Sequence, residues 1–309
     1  SQQTSPNCPK LLLRISMKAL WISLYFCGIQ FLAQAQGPKI LIVTAHPDDE
    51  TMFAVTVFKT TRELKGSADL ALLTDASGGF NGMVASSYYG MNMLDSTLGR
   101  KHLPLIRKKE MMQAGEVMGI GQYFFFDQRD DYYNRNEKPY LDGRNWDKTV
   151  VERRLDDILR RGGYDFVFCL IPDEGQHAHH KAASLYALQA VGRMQGRRPI
   201  VLGGRATDRS STSPYQGLAG YPETAPPPTA PIFTFDRSAT FGEANKHSYM
   251  IVADWVKAAH KSQSGDMNQA MHRGELETFR YFALNSSERI QEAVRFFEQL
   301  RQSGFSKKE

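Results

Sequence analysis

Two short segments of the chain concentrate side chains that bind metal ions and move protons. The first, Ala45–Glu50 (AHPDDE), directly follows the apolar, β-branched run Lys39–Thr44. His46 and Asp49 offer a ring nitrogen and a hard oxygen, the donor types that suit zinc or a similar divalent ion. Asp48 is adjacent to Asp49 and is expected to point elsewhere, so it can remain a free carboxylate. The same residues also favour a simple turn and helix cap, because Pro-Asp-Asp is common in both.

The second segment, Asp173–His180 (DEGQHAHH), follows the apolar run Phe166–Ile171 and opens a predicted helix. His177 and His180 are three residues apart, so they share a face on a helical turn. By the same spacing His179 is expected to face away from them, as a solvated side chain.

The elements around the two segments predict that they meet at one edge of a sheet. Strand-like runs alternate with segments of helical spacing, which predicts a Rossmann-like, doubly wound, mostly parallel α/β sheet with helices on both faces. Open sheets of this type bind ligands beyond the carboxyl ends of their strands. His46, Asp49 and His180 would then form a three-ligand site with an open water position, the catalytic arrangement for zinc. The predicted strands are 39–44, 69–74, 122–126, 165–171, 199–202 and 232–235, and the predicted helices are 51–64, 105–118, 146–161, 178–194, 242–261 and 287–301.

Two polar stretches interrupt this alternation of strands and helices. They are Asp127–Arg144, which is rich in Tyr, and Gly203–Pro231, which is rich in Gly, Ser, Thr and Pro. Long loops in compact domains are usually functional or disordered. We expect both to frame the ligand cleft on the substrate side.

The composition narrows the class of protein. The 309 residues are 41% hydrophobic and 23% charged, which is ordinary for a globular domain and disfavours disorder, collagen-like repeats and a polytopic membrane protein. The net charge is +5, but residues 1–35 hold three bases and no acid, so the rest carries only +2. Such a body has no electrostatic footprint for nucleic acid.

Residues 1–35 are predicted to be an upstream segment followed by a secretory signal peptide. Met17-Lys18 precedes an apolar run that ends in Ala33-Gln34-Ala35, a small-x-small cleavage pattern. An uncleaved anchor is the alternative, although the run is short for a membrane span. Cleavage near Ala35 would leave residues 36–309 as one exported domain, periplasmic or extracellular, with no stable membrane span. Cys169 would then be its single cysteine, expected as a buried small hydrophobe.

The motif Ala45–Glu50 resembles the signature of the PIG-L / LmbE-like N-acetylglucosaminyl deacetylases. Further segments resemble the same family in order, from about residue 39 to 265: the LTDASGG run 73–79, the helix with Arg107 and Glu110, the strand before Asp130, the HAHHKAA run 177–183 and the AHKSQ run 259–263. There are departures. His177-Ala178-His179 replaces the usual His-Pro-Asp, Ser77 stands where an acid is common, and residues 80–104 are an insertion. These departures from the family pattern affect the identity of the expected substrate more than the type of reaction.

The resemblance implies a metal-dependent hydrolase that removes acetate from an N-acetylated amino sugar or glycoconjugate, acting on a linear amide C–N bond. The implied cofactor is Zn²⁺, with Fe²⁺ as the alternative. In this reading His46, Asp49 and His180 are the metal ligands, Asp48 is the general base and His177 is the second catalytic residue.

The resemblance also marks three candidates for sugar contacts or for support behind the site: Arg107, Asp130 and His260. For Arg107 an ordinary helix-surface charge is an equal alternative. Asp130 has the stronger functional case, because it follows a strand end in a polar loop. A supporting role is favoured for His260.

Two other functions compete with the amino-sugar deacetylase. One keeps the metal amidase chemistry and changes the substrate to another small amide. The other is a non-catalytic glycan-binding module on the same fold, which is disfavoured because every residue that the chemistry requires is present.

Overall fold

A computed structural model describes residues 37–80, 83–211 and 214–304 of the chain. Its strands are β1 (Lys39–Thr44), β2 (Ser67–Thr74), β3 (Ile120–Gln128), β4 (Phe166–Leu170), β5 (Ile200–Thr207), β6 (Phe233–Asp236), β7 (Thr240–Phe241), β8 (His247–Ser248) and β9 (Leu276–Tyr281). Its helices are α1 (Ala54–Phe58), α2 (Met83–Tyr89), α3 (Ser96–Met118), α4 (Lys138–Leu141), α5 (Lys148–Gly162), α6 (Ala178–Arg193), α7 (Met250–Ala259), α8 (Ser264–Ala270) and α9 (Ile290–Gln302). A 3₁₀ turn over Asp49–Phe53 leads into α1, and a π turn over Lys59–Glu63 continues it.

The described residues form a seven-stranded sheet in the order β3-β2-β1-β4-β5-β9-β6. The first five strands in this order are parallel, whereas β9 runs antiparallel to both β5 and β6. Strand β4 lies at the centre of the sheet and is fully buried, as its continuous apolar sequence predicts for a strand covered on both faces. The parallel order brings the carboxyl ends of β1, β4 and β5 side by side.

Helices cover both faces of the sheet. Residues of α1, α3, α7 and α9 pack with one face, and residues of α5 and α6 pack with the other. The predicted doubly wound, mostly parallel α/β fold is therefore confirmed. Cys169 is buried in the second of these cores, as expected.

The structure differs from the sequence-based predictions of secondary structure at several points. The helix predicted over 242–261 is wrong in its first half. Gly242 has a left-handed φ of 77°, and the strands on either side of it, β7 and β8, form a small antiparallel hairpin. The helix therefore begins only at Met250. Neither Asn285 nor Ser286, the polar residues that precede the last helix, caps it with a side chain. The Asn285 amide bonds both backbone groups of Val201, and Ser286 makes no side-chain cap bond.

Strand β9 was not predicted, because its sequence LETFRY puts a glutamate where a core residue is expected. Glu277 is fully buried. It pairs with the buried Arg237 at 2.9 Å and accepts hydrogen bonds from the backbone of Val55 and Thr56, both at 2.7 Å. These partners lie far away in the sequence and offset the cost of burying the charge.

The signal peptide predicted over residues 1–35 lies outside the described residues. Among the described residues no helix is both long and apolar enough to cross a membrane.

Candidate metal centre

The end of β1 fixes the first two predicted ligands. The carboxylate of Asp49 turns back over the strand end, where its Oδ2 accepts hydrogen bonds from the backbone N–H groups of Ala45 at 3.0 Å and His46 at 2.9 Å. Asp49 is buried, with 5% of its surface exposed. These two bonds fix the rotamer of the carboxylate and leave Oδ1 free to face the neighbouring strand end.

Helix α6 brings the third predicted ligand to the same point. The β1–β4 pairing places the start of α6 beside the AHPDDE turn. His180 Nε2 lies 3.1 Å from Asp49 Oδ1 and 2.9 Å from His46 Nδ1. The structure therefore brings together the three side chains predicted as ligands, from two segments that are more than 120 residues apart.

Each of these side chains is held at its second polar atom. His180 Nδ1 lies 2.9 Å from Gln176 Oε1, a carbonyl oxygen to which it donates. His46 Nε2 lies 3.0 Å from His179 Nδ1 and 3.4 Å from Asp130 Oδ1. Such partners fix the tautomer and orientation of metal-binding histidines. They direct His46 Nδ1 and His180 Nε2 toward Asp49 Oδ1.

The convergence of three electron-pair donors fits a divalent cation. In a tetrahedral site with bonds of about 2.0–2.2 Å, ligand atoms lie about 3.4 Å apart. The observed separations of 2.9 and 3.1 Å are close to this value. Two imidazoles and one carboxylate are also a donor set that zinc and ferrous iron accept. A cation is what would offset the mutual repulsion of the three donors.

A second group of donor atoms, on His46, His177 and His179, also lies within 4.8 Å. It shares His46 with the first group. The Nδ1 of His179 already contacts His46 Nε2, and the Nδ1 of His177 accepts a backbone hydrogen bond. The first group therefore has the better-directed donors.

The charges around the centre keep its carboxylates ionised. Burial alone would raise the pKa of Asp49, but the nearby His180 and His46 hold it below its usual range. The pKa of Asp130 is likewise lowered, because His46 and Arg107 outweigh the effect of burial. Burial disfavours a charge on His46, yet the carboxylates of Asp130 and Asp49 raise its pKa.

Asp48 differs from its neighbour in both backbone and side chain. Its φ of 106° lies in the region that non-glycine residues rarely adopt. This conformation directs the carboxylate away from the ligand cluster, as predicted, and toward the cleft, where 21% of the side chain is exposed. Burial raises the pKa of Asp48 to about 6, although the Arg107 guanidinium opposes this shift. A carboxylate with a pKa near neutrality is suited to accept and return a proton.

Arg107 lies behind Asp48, in the interior of α3. Only 4% of its surface is exposed, so the alternative of a helix-surface charge is wrong. Its Nη2 donates to Pro47 O at 2.8 Å and lies 3.2 Å from Asp48 Oδ2, while Nη1 donates to Gly78 O at 3.1 Å. Arg107 therefore joins the turn after β1 to the turn after β2 and orients Asp48.

His177 lies at the rim of the cleft as the N-cap of α6. Its Nδ1 accepts a hydrogen bond from the backbone N–H of His179 at 2.9 Å. Burial and the positive charges of His46 and His180 lower the pKa of His177 to about 4. The ring is therefore neutral at pH 7, with its proton on Nε2, so it presents a hydrogen-bond donor.

The expectation that His179 faces solvent is wrong. His179 is completely buried. The centroid of its ring lies 4.6 Å from the ring centroid of Tyr140 and 5.3 Å from that of Trp146. The spacing rule failed because His177 is the cap and has a non-helical backbone, with ψ 141°. The helix begins only at Ala178, so counting faces from His177 gives the wrong orientation.

Asp130 supports the centre from the turn after β3. It is 3% exposed, and its Oδ2 accepts from the backbone N–H of Gly78 at 2.9 Å. Its Oδ1 lies near both His46 and His179. A Cβ atom at Gly78 would lie 2.7–2.8 Å from this carboxylate, so glycine is required there. These contacts give Asp130 a role in holding His46.

His260 and its neighbours form a hydrogen-bonded layer behind the motif. His260 Nε2 lies 2.6 Å from Oε1 of Glu50, and both side chains are fully buried. Two further contacts tie this layer to α3 and to the turn after β2: Ser262 N donates to Glu110 at 2.8 Å, and Gln263 Nε2 donates to Gly79 O at 2.9 Å. The structure thus places His260 behind the cleft, as support.

The centre opens into a cleft of about 500 Å³. Asp48 and the predicted ligands line its floor, and His177 lies at its rim. Asp131 and Tyr133, from the long loop predicted over 127–144, lie on its wall, and Arg205 lies at the end of β5. Sequence reasoning missed Gln176, Gly78 and Arg205. The signal for Gln176 was its position within Asp173–His180, and that for Gly78 was its position within the LTDASGG run 73–79, whereas nothing local marked Arg205.

Part of the chain that contains this site is similar to a known protein family. The model of the family described as PIG-L: GlcNAc-PI de-N-acetylase matches residues 41–191, which include β1, the AHPDDE turn and the histidine cluster. The family resemblance inferred from the motifs is confirmed by this match.

Solved structures with a similar fold include three proteins. N,N'-diacetylchitobiose deacetylase from Pyrococcus horikoshii has a TM-score of 0.51 and 15% identity, covering 87% of this chain and 94% of that one. GalB, the 4-carboxy-2-hydroxymuconate hydratase from Pseudomonas putida KT2440, has a TM-score of 0.45 and 17% identity, covering 79% and 95%. The zinc inhibited form of teicoplanin deacetylase Orf2 has a TM-score of 0.46 and 12% identity, covering 78% and 97%. The first of these similarities shows a shared fold.

Proposed function

We propose that this chain, whose residues 41–191 belong to the PIG-L family, is a metal-dependent deacetylase that removes acetate from N-acetylglucosamine-type sugars or glycoconjugates. The observation that carries the proposal is the ligand cluster: His46, Asp49 and His180 converge, and each is held at its second polar atom. Such a cluster on a cleft floor, with the free carboxylate of Asp48 beside it, is built for hydrolysis rather than for a structural metal.

Zn²⁺ is the proposed cofactor, with Fe²⁺ as the alternative. His46 Nδ1, His180 Nε2 and Asp49 Oδ1 would hold it. When bound, a divalent ion of this kind makes water more acidic and polarises a carbonyl oxygen.

The chain's own residues then account for the proton movements. Asp48 accepts a proton from the attacking water, and Arg107 holds its carboxylate toward the cleft. His177 Nε2–H donates to the carbonyl oxygen as negative charge develops there. Water adds to the acetyl carbon, the C–N bond breaks, and the amine leaves with the proton that Asp48 accepted from the water, because neutral His177 would become an imidazolate if it gave up its Nε2 proton. The products are acetate and the free amino sugar.

Acetate release is the decisive assay. The purified chain is stripped with a chelator, reloaded with Zn²⁺ or Fe²⁺, and incubated with N-acetylglucosamine oligomers. We expect acetate from the reloaded protein and none from the stripped protein. Release from another small amide alone would favour the amidase alternative. Sugar binding by the reloaded protein with no hydrolysis of any amide would favour the binding module and overturn the enzyme.

We also propose that the chain is exported. The basis is the basic start, apolar run and Ala33-Gln34-Ala35 pattern, which lie outside the described residues. N-terminal sequencing of native material should find a mature chain that begins at or near Gln36. A cytosolic chain that retains Met17 would refute export without affecting the proposed chemistry.

A further inference from the structure

Tyr133 lies on the wall of the cleft beside His177. It lines the cleft, and the centroid of its ring lies 5.0 Å from that of the His177 imidazole, with the two ring planes nearly perpendicular at 82°. Tyr133 is nevertheless 62% exposed. Covering a large aromatic side chain contributes favourable free energy to binding, so this open ring can pack against a molecule that enters the cleft.

The segment that carries Tyr133 is bound to α6, the helix that follows the histidine. The carbonyl oxygen of Asn134 accepts a hydrogen bond from the backbone N–H of Ala178, in the first turn of α6, at 2.8 Å. The carbonyl oxygen of the next residue, Arg135, accepts from Nζ of Lys181 in the same helix. The tyrosine therefore has a fixed position relative to the start of α6, although it belongs to a long polar loop.

The hydroxyl group of Tyr133 is held as well. Its oxygen accepts a hydrogen bond from Arg135 Nε at 3.1 Å, and the hydroxyl donates more weakly to Gly175 O at 3.4 Å. Both partners contact the oxygen at the end of the side chain and leave most of the ring exposed. An aromatic ring that is already held in place loses little entropy when a ligand packs against it.

The neighbouring Tyr132 shows that exposure alone does not mark such a position. Tyr132 is 68% exposed, but its ring packs with that of Phe80, at a centroid distance of 6.5 Å, and with the Arg100 guanidinium at 5.1 Å. It is not among the described residues that line the cleft. Tyr133 is distinguished by its place in the cleft and by the contacts that hold it.

The position of His177 defines what would contact the Tyr133 ring. In the proposed reaction His177 Nε2–H donates to the acetamide carbonyl oxygen, and three covalent bonds separate that oxygen from C2 of the sugar. The sugar ring is therefore beside the imidazole, where the Tyr133 ring forms part of the wall. A pyranose presents C–H groups on its faces, and an aromatic ring packs favourably with such an apolar surface.

We propose that Tyr133 is a platform for the pyranose ring of the N-acetylated sugar and makes the cleft specific for cyclic over open-chain acetamides. This inference rests on the proposed deacetylase function and deepens it by naming a residue that selects the substrate. Hydrolysis of the amide leaves the sugar ring unchanged, so the platform binds the ground state and the transition state equally. Its contribution therefore falls on KM and not on kcat.

The test compares two substrates that carry the same acetamide. They are N-acetylglucosamine and N-acetylglucosaminitol, the open-chain alcohol obtained by reducing it. We expect kcat/KM of the wild type to be about tenfold or more higher for the cyclic sugar, the scale of covering the C–H groups of one sugar face.

Variants of the two adjacent tyrosines separate the platform from a general effect on the loop. Tyr133→Ser should lower the cyclic-to-open ratio of kcat/KM about tenfold, through KM of the cyclic sugar, and Tyr133→Phe should keep most of the ratio because the ring remains. Tyr132→Ser, the matched control, should leave it unchanged. An equal ratio in the wild type and Tyr133→Ser, or a fall in kcat shared by both substrates, would overturn this inference and leave the deacetylase standing.

Failure of the deacetylase is a separate result, because it would appear as no acetate from either substrate or from N-acetylglucosamine oligomers. Calorimetry tests the platform without turnover, with N-acetylglucosamine and N-acetylglucosaminitol each titrated into the metal-loaded wild type and Tyr133→Ser. A preference for the cyclic sugar that Tyr133→Ser weakens about tenfold supports the platform. No binding, or binding that the variant does not change, overturns it.

Discussion

The neighbouring aspartates of the AHPDDE turn give the sharpest test of the proposed site, because one substitution type separates their roles. Asp48→Asn keeps the shape of the side chain, and asparagine tolerates a positive φ better than most residues. Its Oδ1 can still accept from Arg107. The ligand cluster is untouched, so metal content should stay at the wild-type level. Loss of a general base typically lowers kcat by about 10² to 10⁴, with little change in KM.

Asp49→Asn should have the opposite pattern. The carboxylate Oδ2 accepts from two backbone N–H groups, and Oδ1 faces the histidines. An amide cannot serve both sides, because its NH₂ group would face either those donors or the metal position. Two hydrogen bonds to a charged group are worth about 3–6 kcal/mol together. Metal affinity should therefore fall at least about 100-fold, and activity should be lost with the metal.

The assay is metal analysis of each purified variant beside its rate of acetate release. Asp157→Asn, at an exposed position on α5, is the matched control and should keep both metal and activity. If Asp48→Asn loses the metal while Asp49→Asn keeps it, the assigned roles are reversed. If both variants stay loaded and active, the enzyme proposal fails, and the turn with its helix cap is the correct account of Pro-Asp-Asp.

Three further outcomes follow from the contacts around the centre. Asp130→Asn weakens the hold on His46 and should lower metal affinity about 10- to 100-fold, measured by competition with a chromogenic chelator; unchanged affinity would contradict its supporting role. Gly78→Ala forces a Cβ against the Asp130 carboxylate and should reduce both metal content and turnover, whereas Gly265→Ala, with open space around it, should change neither. Arg237→Met leaves Glu277 buried without its cationic partner and should lower the free energy of unfolding by about 3–5 kcal/mol in urea titrations; a change below about 1 kcal/mol would show that the buried ion pair stabilises little.

The parts of the site that sequence predicted are those encoded locally. The apolar runs of β1 and β4 and the polar motif after each one were enough to bring His46, Asp49 and His180 together, because parallel strands share their carboxyl ends. The same reasoning gave the correct direction for Asp48, because adjacent side chains diverge.

The parts that sequence missed depend on partners that are distant in the chain. The burial of His179 follows from where α6 begins, and that point depends on a capping bond rather than on hydrophobic spacing. Strand β9 contains the buried Glu277, whose charge is compensated by Arg237 and by the backbone N–H groups of Val55 and Thr56, all distant in the sequence. Arg205 lies in the stretch predicted as a loop, 203–231, but β5 extends to Thr207 and carries it to the cleft, which no local pattern indicated.

The backbone of Asp48 has a consequence for how this protein could change under selection. Holding a non-glycine residue at such a φ costs about 1–3 kcal/mol. Asp48→Ala and Asp48→Gly both remove the carboxylate and its contact with Arg107, so the difference between them isolates the backbone. We expect the glycine variant to be the more stable of the two by about 1 kcal/mol or more in urea unfolding, with both inactive. A screen for heat resistance alone would then favour glycine at position 48 and discard catalysis, so thermostability and turnover oppose each other at this residue.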